Sequence, residues 1–133
     1  MMAAGKYPAV RSEVIIVVEN DGAVRRSLKF SLEAEGFVVR TYAAGEDLLR
    51  DAPVPNCDCL VVAEFLPGIR GIDLVARLRE SKVSAPAILI TSHPSPILRR
   101  RAEDAGIPII EKPLLGSALL DGIRRVTRVP SMH

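Results

Sequence analysis

Five apolar, strand-like runs alternating with five helical patterns predict a doubly wound α/β sandwich, a parallel five-stranded sheet between two helical layers. Three observations carry this expectation. Val14-Ile15-Ile16-Val17-Val18 is a continuous run of branched apolar residues, the pattern of a strand covered on both faces. Between such runs, apolar residues recur every three or four positions, which is helical spacing. The junctions are short and marked by proline and glycine, with no linker, low-complexity segment or internal repeat. Parallel neighbours need crossover connections, and these are right-handed in nearly all cases, so strict alternation selects three layers.

Each element has its own signal. After the first strand, Asp21 opens a helix in which Val24, Leu28 and Leu32 form one face and Gly36 supplies a left-handed stop. Phe37-Val38-Val39 restarts a strand, and a short helix around residues 46–50 carries Leu48 and Leu49. The third strand is expected over Cys57 to Ala63, turned by Leu66-Pro67-Gly68. Ile72, Val75 and Leu78 mark the inner face of the next helix, with Asp73, Arg77 and Glu80 outside. Pro86-Ala87-Ile88-Leu89-Ile90 is the fourth strand. His93-Pro94-Ser95-Pro96 opens a helix that runs to Gly106. Ile107-Pro108-Ile109-Ile110 is the fifth strand, and Pro113 is expected at the first position of a last helix burying Leu115, Leu119, Ile123 and Val126.

Bulk properties bound the function. At 133 residues the chain suits one domain, expected over 12–127 between tails 1–11 and 128–133, and large enough to bury roughly two thirds of its unfolded surface. It is 48% hydrophobic with a net charge of +2, too apolar for disorder and too weakly charged to name a partner. The first dozen residues lack the apolar core of a secretory signal and no run reaches a membrane span, so a cytoplasmic protein is expected. Cys57 and Cys59, two apart in the predicted strand, share a face and cannot easily bridge each other. Without a second thiol pair or a neighbouring histidine they read as buried, inert thiols.

In doubly wound sheets the functional crevice lies beyond the carboxyl ends of the strands. Those ends carry Glu19-Asn20-Asp21, Ala63-Glu64, Thr91-Ser92 and Glu111-Lys112-Pro113. Val17-Val18-Glu19-Asn20-Asp21, Leu60-Val61-Val62-Ala63 with Leu66-Pro67-Gly68, Ile90-Thr91-Ser92 and Glu111-Lys112-Pro113 together resemble the receiver domain of bacterial response regulators, of the chemotaxis-type single-domain kind, over about residues 12–127. The resemblance implies a flavodoxin-like (βα)5 fold of strand order 2-1-3-4-5 and a phosphorylation switch. In that switch a histidine kinase donates phosphoryl to an aspartate ending the third strand, with Mg²⁺ held by that aspartate and by acids after the first. A lysine offsets the charge on the transferring group, and a threonine hydroxyl then binds a phosphoryl oxygen. In the family the threonine's movement is linked to an aromatic side chain in strand five.

By the same resemblance Glu19 matches the first acidic position, Thr91 the hydroxyl and Lys112 the lysine. The second acidic position holds Asn20, a poorer ligand for a hard dication than a carboxylate. Ala63 stands at the acceptor position with neither nucleophile nor ligand, and Ile109 stands at the switching aromatic. An impaired Mg²⁺ site and no cofactor are therefore expected. Glu64 is a poor substitute, since successive strand residues point to opposite faces. Asp58 lies roughly 16 Å away at strand rise.

Plainer readings stand beside these. Lys112 and Glu19 could form a structural ion pair, Thr91 could be a strand-end residue, Asp21 a helix cap and His93 a solvated loop residue. Arg99, Arg100 and Arg101 fan round a helix at about 100 degrees per residue, so a solvated face is the default for them. They also lie on the helix-four, strand-five, helix-five surface that receivers commonly use for partners, and are the candidate partner surface. With no helix-turn-helix, aromatic interleaving or strong positive charge, the sequence argues against nucleic acid.

The expected function is a degenerate receiver in two-component phosphorelay signalling that binds proteins without being phosphorylated. Its partners would be a histidine kinase, a phosphotransfer protein, another receiver or a second copy. The alternative is a site variant, at Ala63 alone or at Ala63 and Asn20, of a working regulator. An enzyme on this scaffold lacks support, because no glycine-rich phosphate loop or nucleophile–base pair is evident.

Overall fold

The computed structural model describes residues 13–51, 53–114 and 117–127. Strands β1 (Val14–Val18), β2 (Val38–Tyr42), β3 (Cys59–Ala63), β4 (Ala87–Thr91) and β5 (Ile109–Glu111) alternate with helices α1 (Gly22–Ala34), α2 (Gly45–Arg50), α3 (Gly71–Glu80), α4 (Pro96–Asp104) and α5 (Ala118–Thr127). The five strands form one parallel sheet in the order β2-β1-β3-β4-β5. The chain steps one way from β1 to β2 and the other way through β3, β4 and β5. Right-handed crossovers therefore put α1 on one face and α2, α3 and α4 on the other. The last helix lies on the α1 side, where Arg124 Nη2 is 3.0 Å from Glu35 Oε1.

The central strands are buried on both faces, which is why they read as unbroken apolar runs. Every residue of β3 and β4 is buried, as are Ile15 to Val18 of β1. Leu28 and Leu32 of α1, Leu74, Val75 and Leu78 of α3, and Leu119 and Ile123 of α5 close the core from the two sides.

Helix boundaries follow local chemistry. Asp21 Oδ1 accepts from Ala23 N and Val24 N at 2.9 and 3.1 Å, and Ser95 Oγ accepts from Leu98 N at 3.0 Å with Pro96 in the first turn. Three helices end in the same Schellman pattern. Phe37 N bonds Leu32 O and Gly36 N bonds Glu33 O; Val83 N and Lys82 N do the same with Leu78 O and Arg79 O, and Ile107 N and Gly106 N with Ala102 O and Glu103 O. The left-handed residue is Gly36 or Gly106 in two of them but Lys82, with φ 71°, in the third. A side chain in this region costs energy that glycine avoids. Lys82→Gly is accordingly expected to stabilise the fold by about 0.5–1 kcal/mol, net of the extra freedom glycine gives the unfolded chain. Urea unfolding checks this, and an unchanged or lower midpoint contradicts it.

Four boundaries differ from expectation. Cys57 and Asp58 precede β3 rather than starting it; Asp58 instead ties the strand entry to β1, its Oδ2 accepting from Val14 N and its N–H donating to Val14 O, each at 2.7 Å. The second strand extends to Tyr42, and the fifth begins only at Ile109. Pro113 does not begin α5: it follows a cis peptide after Lys112, and the helix starts at Ala118, where Ser117 O accepts from Asp121 N at 2.8 Å. The φ that proline imposes suits extended and turn backbone as well as a helix start, so the ring alone could not place the helix. Leu115 and the expected tails, 1–11 and 128–133, lie outside the described residues.

Candidate functional site

The order reverses between β1 and β3, and the residues singled out in sequence gather at the carboxyl ends of the strands there. Val18 pairs with Val62 and Ala63 with Ile90, so Glu19, Ala63 and Thr91 stand side by side at the ends of β1, β3 and β4. Lys112 follows β5, its N–H donating to Thr91 O at 2.8 Å.

Glu19 is the buried charge of the site, 1% exposed. Its Oε2 accepts from Asp21 N at 3.1 Å, and its Oε1 lies 3.0 Å from Lys112 Nζ. That approach is an ion contact set off the hydrogen-bond direction, since Oε1 takes no hydrogen bond. β5 is three strand spacings from β1, roughly 14 Å. The two side chains together therefore bridge the carboxyl ends of β1 and β5, the outer members of the run β1-β3-β4-β5. Ala63, at the end of β3, is 1% exposed and presents only a methyl group.

The remaining positions are less engaged. Asn20 is exposed, and the loop carrying it is held by Arg25, whose Nη1 donates to Glu19 O at 2.8 Å and to Asn20 O at 3.3 Å. Thr91 is buried and its hydroxyl donates to the adjacent Ser92 O at 3.3 Å. Ile109 is half-buried against the core at the start of β5. His93 is exposed with φ 47°, a loop residue in the left-handed region. Arg99 and Arg101 are committed to Glu111 and Asp73, with nitrogen–oxygen distances of 2.7 and 3.0 Å, while Arg100 is exposed.

Glu64 does turn away from the crevice. Its Oε1 accepts from Ile72 N at 2.9 Å at the start of α3, and its Oε2 is 4.0 Å from Arg70 Nη1. Burial pushes its carboxyl pKa up, against the lowering effects of the Ile72 N–H, Arg70 and Arg101, while Asp73 adds to the rise. A second carboxylate, Glu46 of α2, accepts from Ile69 N at 2.9 Å and braces the same loop where Gly68 takes φ 75°. At Gly71 a Cβ would meet Ala63 O at 2.3 Å, so α3 starts pressed against the last carbonyl of β3. Arg25 and Glu46 thus shape the site without having been singled out for it in sequence, and Glu64, weighed there only as a substitute acceptor, shapes it as a brace. Only the positive-φ glycine of Leu66-Pro67-Gly68 advertised the loop.

The thiols lie at the opposite end of the sheet. Cys59 is buried and Cys57 half-buried. Burial, with the Asp58 charge adding, pushes the Cys57 thiol up to about 11; burial, with Cys57, Asp58 and Glu13 adding, pushes Cys59 up to about 12.

For a hard dication the donor set is thin: one buried carboxylate already facing an ammonium, one neutral amide and a methyl group. Among the described residues, no three His, Cys, Asp or Glu side chains are grouped to hold a metal ion.

Comparison with known proteins agrees with this fold. The model of the response regulator receiver domain matches residues 15–124. The transcriptional regulatory protein FixJ of Rhizobium meliloti is 31% identical over 84% of this chain and 55% of its own length, and AfsQ1 of Streptomyces coelicolor is 34% identical over 86% and 51%. The chain therefore spans about half the length of these curated relatives. Among solved structures, FixJ-N aligns with a TM-score of 0.79 at 28% identity, covering 92% of this chain and all of that one. The receiver domain of HemR from Leptospira biflexa aligns at 0.81 and 23% identity over 92% and 99%, a likeness of fold. The chain belongs to the receiver-domain family of two-component response regulators.

Proposed function

We propose that this receiver works by binding proteins without being phosphorylated at the usual place. The observation that carries the reading is the end of β3: Ala63 offers no carboxylate there, and the ammonium of Lys112 is engaged with buried Glu19 instead. Chemistry of the family's kind needs a nucleophile there and a metal beside it, and Ala63 and Asn20 supply neither. The Mg²⁺ site is thus impaired, and the pocket of Glu19, Asn20, Ala63, Thr91 and Lys112 is vestigial. Ile109 in place of an aromatic group removes the usual pointer as well.

Receiver domains interact with histidine kinases and other signalling proteins. The partner proposed here is a histidine kinase, a phosphotransfer protein or another receiver, with α4, β5 and α5 as the contact face, which a second copy could also use. Residues 12–127 form the unit that binds, in the cytoplasm, as a binding module rather than an enzyme.

Two measurements test it. Acetyl phosphate with Mg²⁺ is expected to leave the intact mass unchanged, and an added acid-labile phosphoryl group overturns the reading. Millimolar Mg²⁺ is expected to move the melting temperature by less than about 1 °C, because little carboxylate repulsion is left for the ion to relieve. A rise of several degrees contradicts it.

A further inference from the structure

Glu64 ties both ends of the loop from β3 to α3, which Glu46 braces at Ile69. Glu64 O accepts from Leu66 N at 3.1 Å and from Gly71 N at 3.0 Å, and its carboxylate accepts from Ile72 N at 2.9 Å. α3 has no cap of its own, since its N-cap residue is Arg70 and that side chain makes no cap bond. Glu64 therefore caps the helix from across the loop. The loop it closes carries exposed Phe65, with the Arg70 guanidinium 4.8 Å from the ring centre.

The carboxylate is buried, so it holds this position only while the surrounding charges offset its lost hydration. Those charges alternate in sign. Arg70, 4.0 Å from the carboxylate, favours the ionised form; Asp73, the residue after the Ile72 donor, opposes it; Arg101, paired with Asp73, favours it least. Arg101, on α4, donates from Nη2 to Asp73 Oδ1 on α3 at 3.0 Å, with both side chains about half exposed.

We propose that Glu64 is a latch on the β3–α3 loop and that α4 acts on it through Arg101. This is a route from the α4 surface to the floor of the crevice that uses neither Thr91 nor Ile109. The two states are a loop fastened by the Glu64–Ile72 bond and a loop in which the carboxylate has left for water. A partner that draws Arg101 away removes one favourable charge and leaves Asp73 uncompensated beside Glu64. Both changes disfavour the desolvated carboxylate, so the loop opens. The latch stands whether or not the crevice accepts phosphoryl.

Amide hydrogen exchange at Ile72 in the full chain tests this, each variant being referenced to its own β1 and β4 amides so that global stability cancels. Arg101→Gln is expected to raise Ile72 exchange about threefold, the effect of a partly exposed charge on a local opening. Glu64→Gln keeps a carbonyl acceptor for Ile72 but carries no charge, so adding Arg101→Gln to it is expected to change Ile72 exchange no further. The proposal is overturned if Arg101→Gln leaves Ile72 unchanged, or if it has the same effect in the Glu64→Gln background.

Discussion

Lys112→Met is expected to destabilise the protein by about 2–3 kcal/mol, because it leaves the Glu19 carboxylate buried without its counter-charge. The estimate sits at or below the low end for a broken buried pair for a structural reason. Glu19 is 1% exposed, but the lysine is 29% exposed, so water reaches one partner. Methionine keeps most of the stem's packing, which separates the charge from the loss of apolar contact. Oε1 has no hydrogen bond to fall back on, and Oε2 keeps only the Asp21 N–H. Glu19→Gln in the same chain is expected to restore most of the loss, since a neutral amide needs no cation. Urea unfolding of both single variants and the double variant closes the cycle. A Lys112→Met protein within about 0.5 kcal/mol of the parent would show that the pair is solvated and contributes little, as surface pairs do.

How far the residues announced this arrangement depends on the range of the interaction. The buried strands were legible because a sheet covered on both faces must be apolar along its whole length, as β1 and β3 are. Two of the three left-handed helix stops were legible through Gly36 and Gly106. The third was hidden because Lys82 adopts the same backbone without the residue that signals it. The start of α5 was misplaced because Pro113 fits more than one conformation. At the site, the strand-end residues were found by position along the chain. Arg25, Glu46 and Glu64 act on backbone groups brought near by the fold: Glu46 is 23 positions from Ile69, and Glu64 is 8 from Ile72. No local pattern encodes such a contact. The Glu19–Lys112 pair was foreseeable as a pairing of charges, but not the near-complete burial of its carboxylate.

Ala63→Asp is the substitution that asks whether the rest of the crevice still works, and it is expected first to cost stability. The new carboxylate would stand at the strand end next to Glu19, at a position 1% exposed, with a single lysine for both. Like charges at this spacing and partial burial are expected to lower stability by about 2 kcal/mol without divalent cation. For a chain of this size that is roughly 6–10 °C in Tm. Adding Asn20→Asp supplies a further acidic ligand on the Arg25-held loop. In that double variant, millimolar Mg²⁺ is expected to return much of the loss, because the cation then meets carboxylates instead of a methyl and an amide. Intact mass after acetyl phosphate separates two histories of the site. A phosphoryl group gained by Ala63→Asp, alone or with Asn20→Asp, would mean that Thr91 and Lys112 are still arranged for transfer and that the acceptor alone was lost. No gain despite recovered Mg²⁺ binding would mean that the geometry around the missing carboxylate has also drifted. Even a phosphorylated variant would lack an aromatic group at Ile109. Its α4 amides would then respond to phosphoryl only through contacts other than the usual pointer, and the cluster of Glu64, Asp73 and Arg101 is where that response would appear.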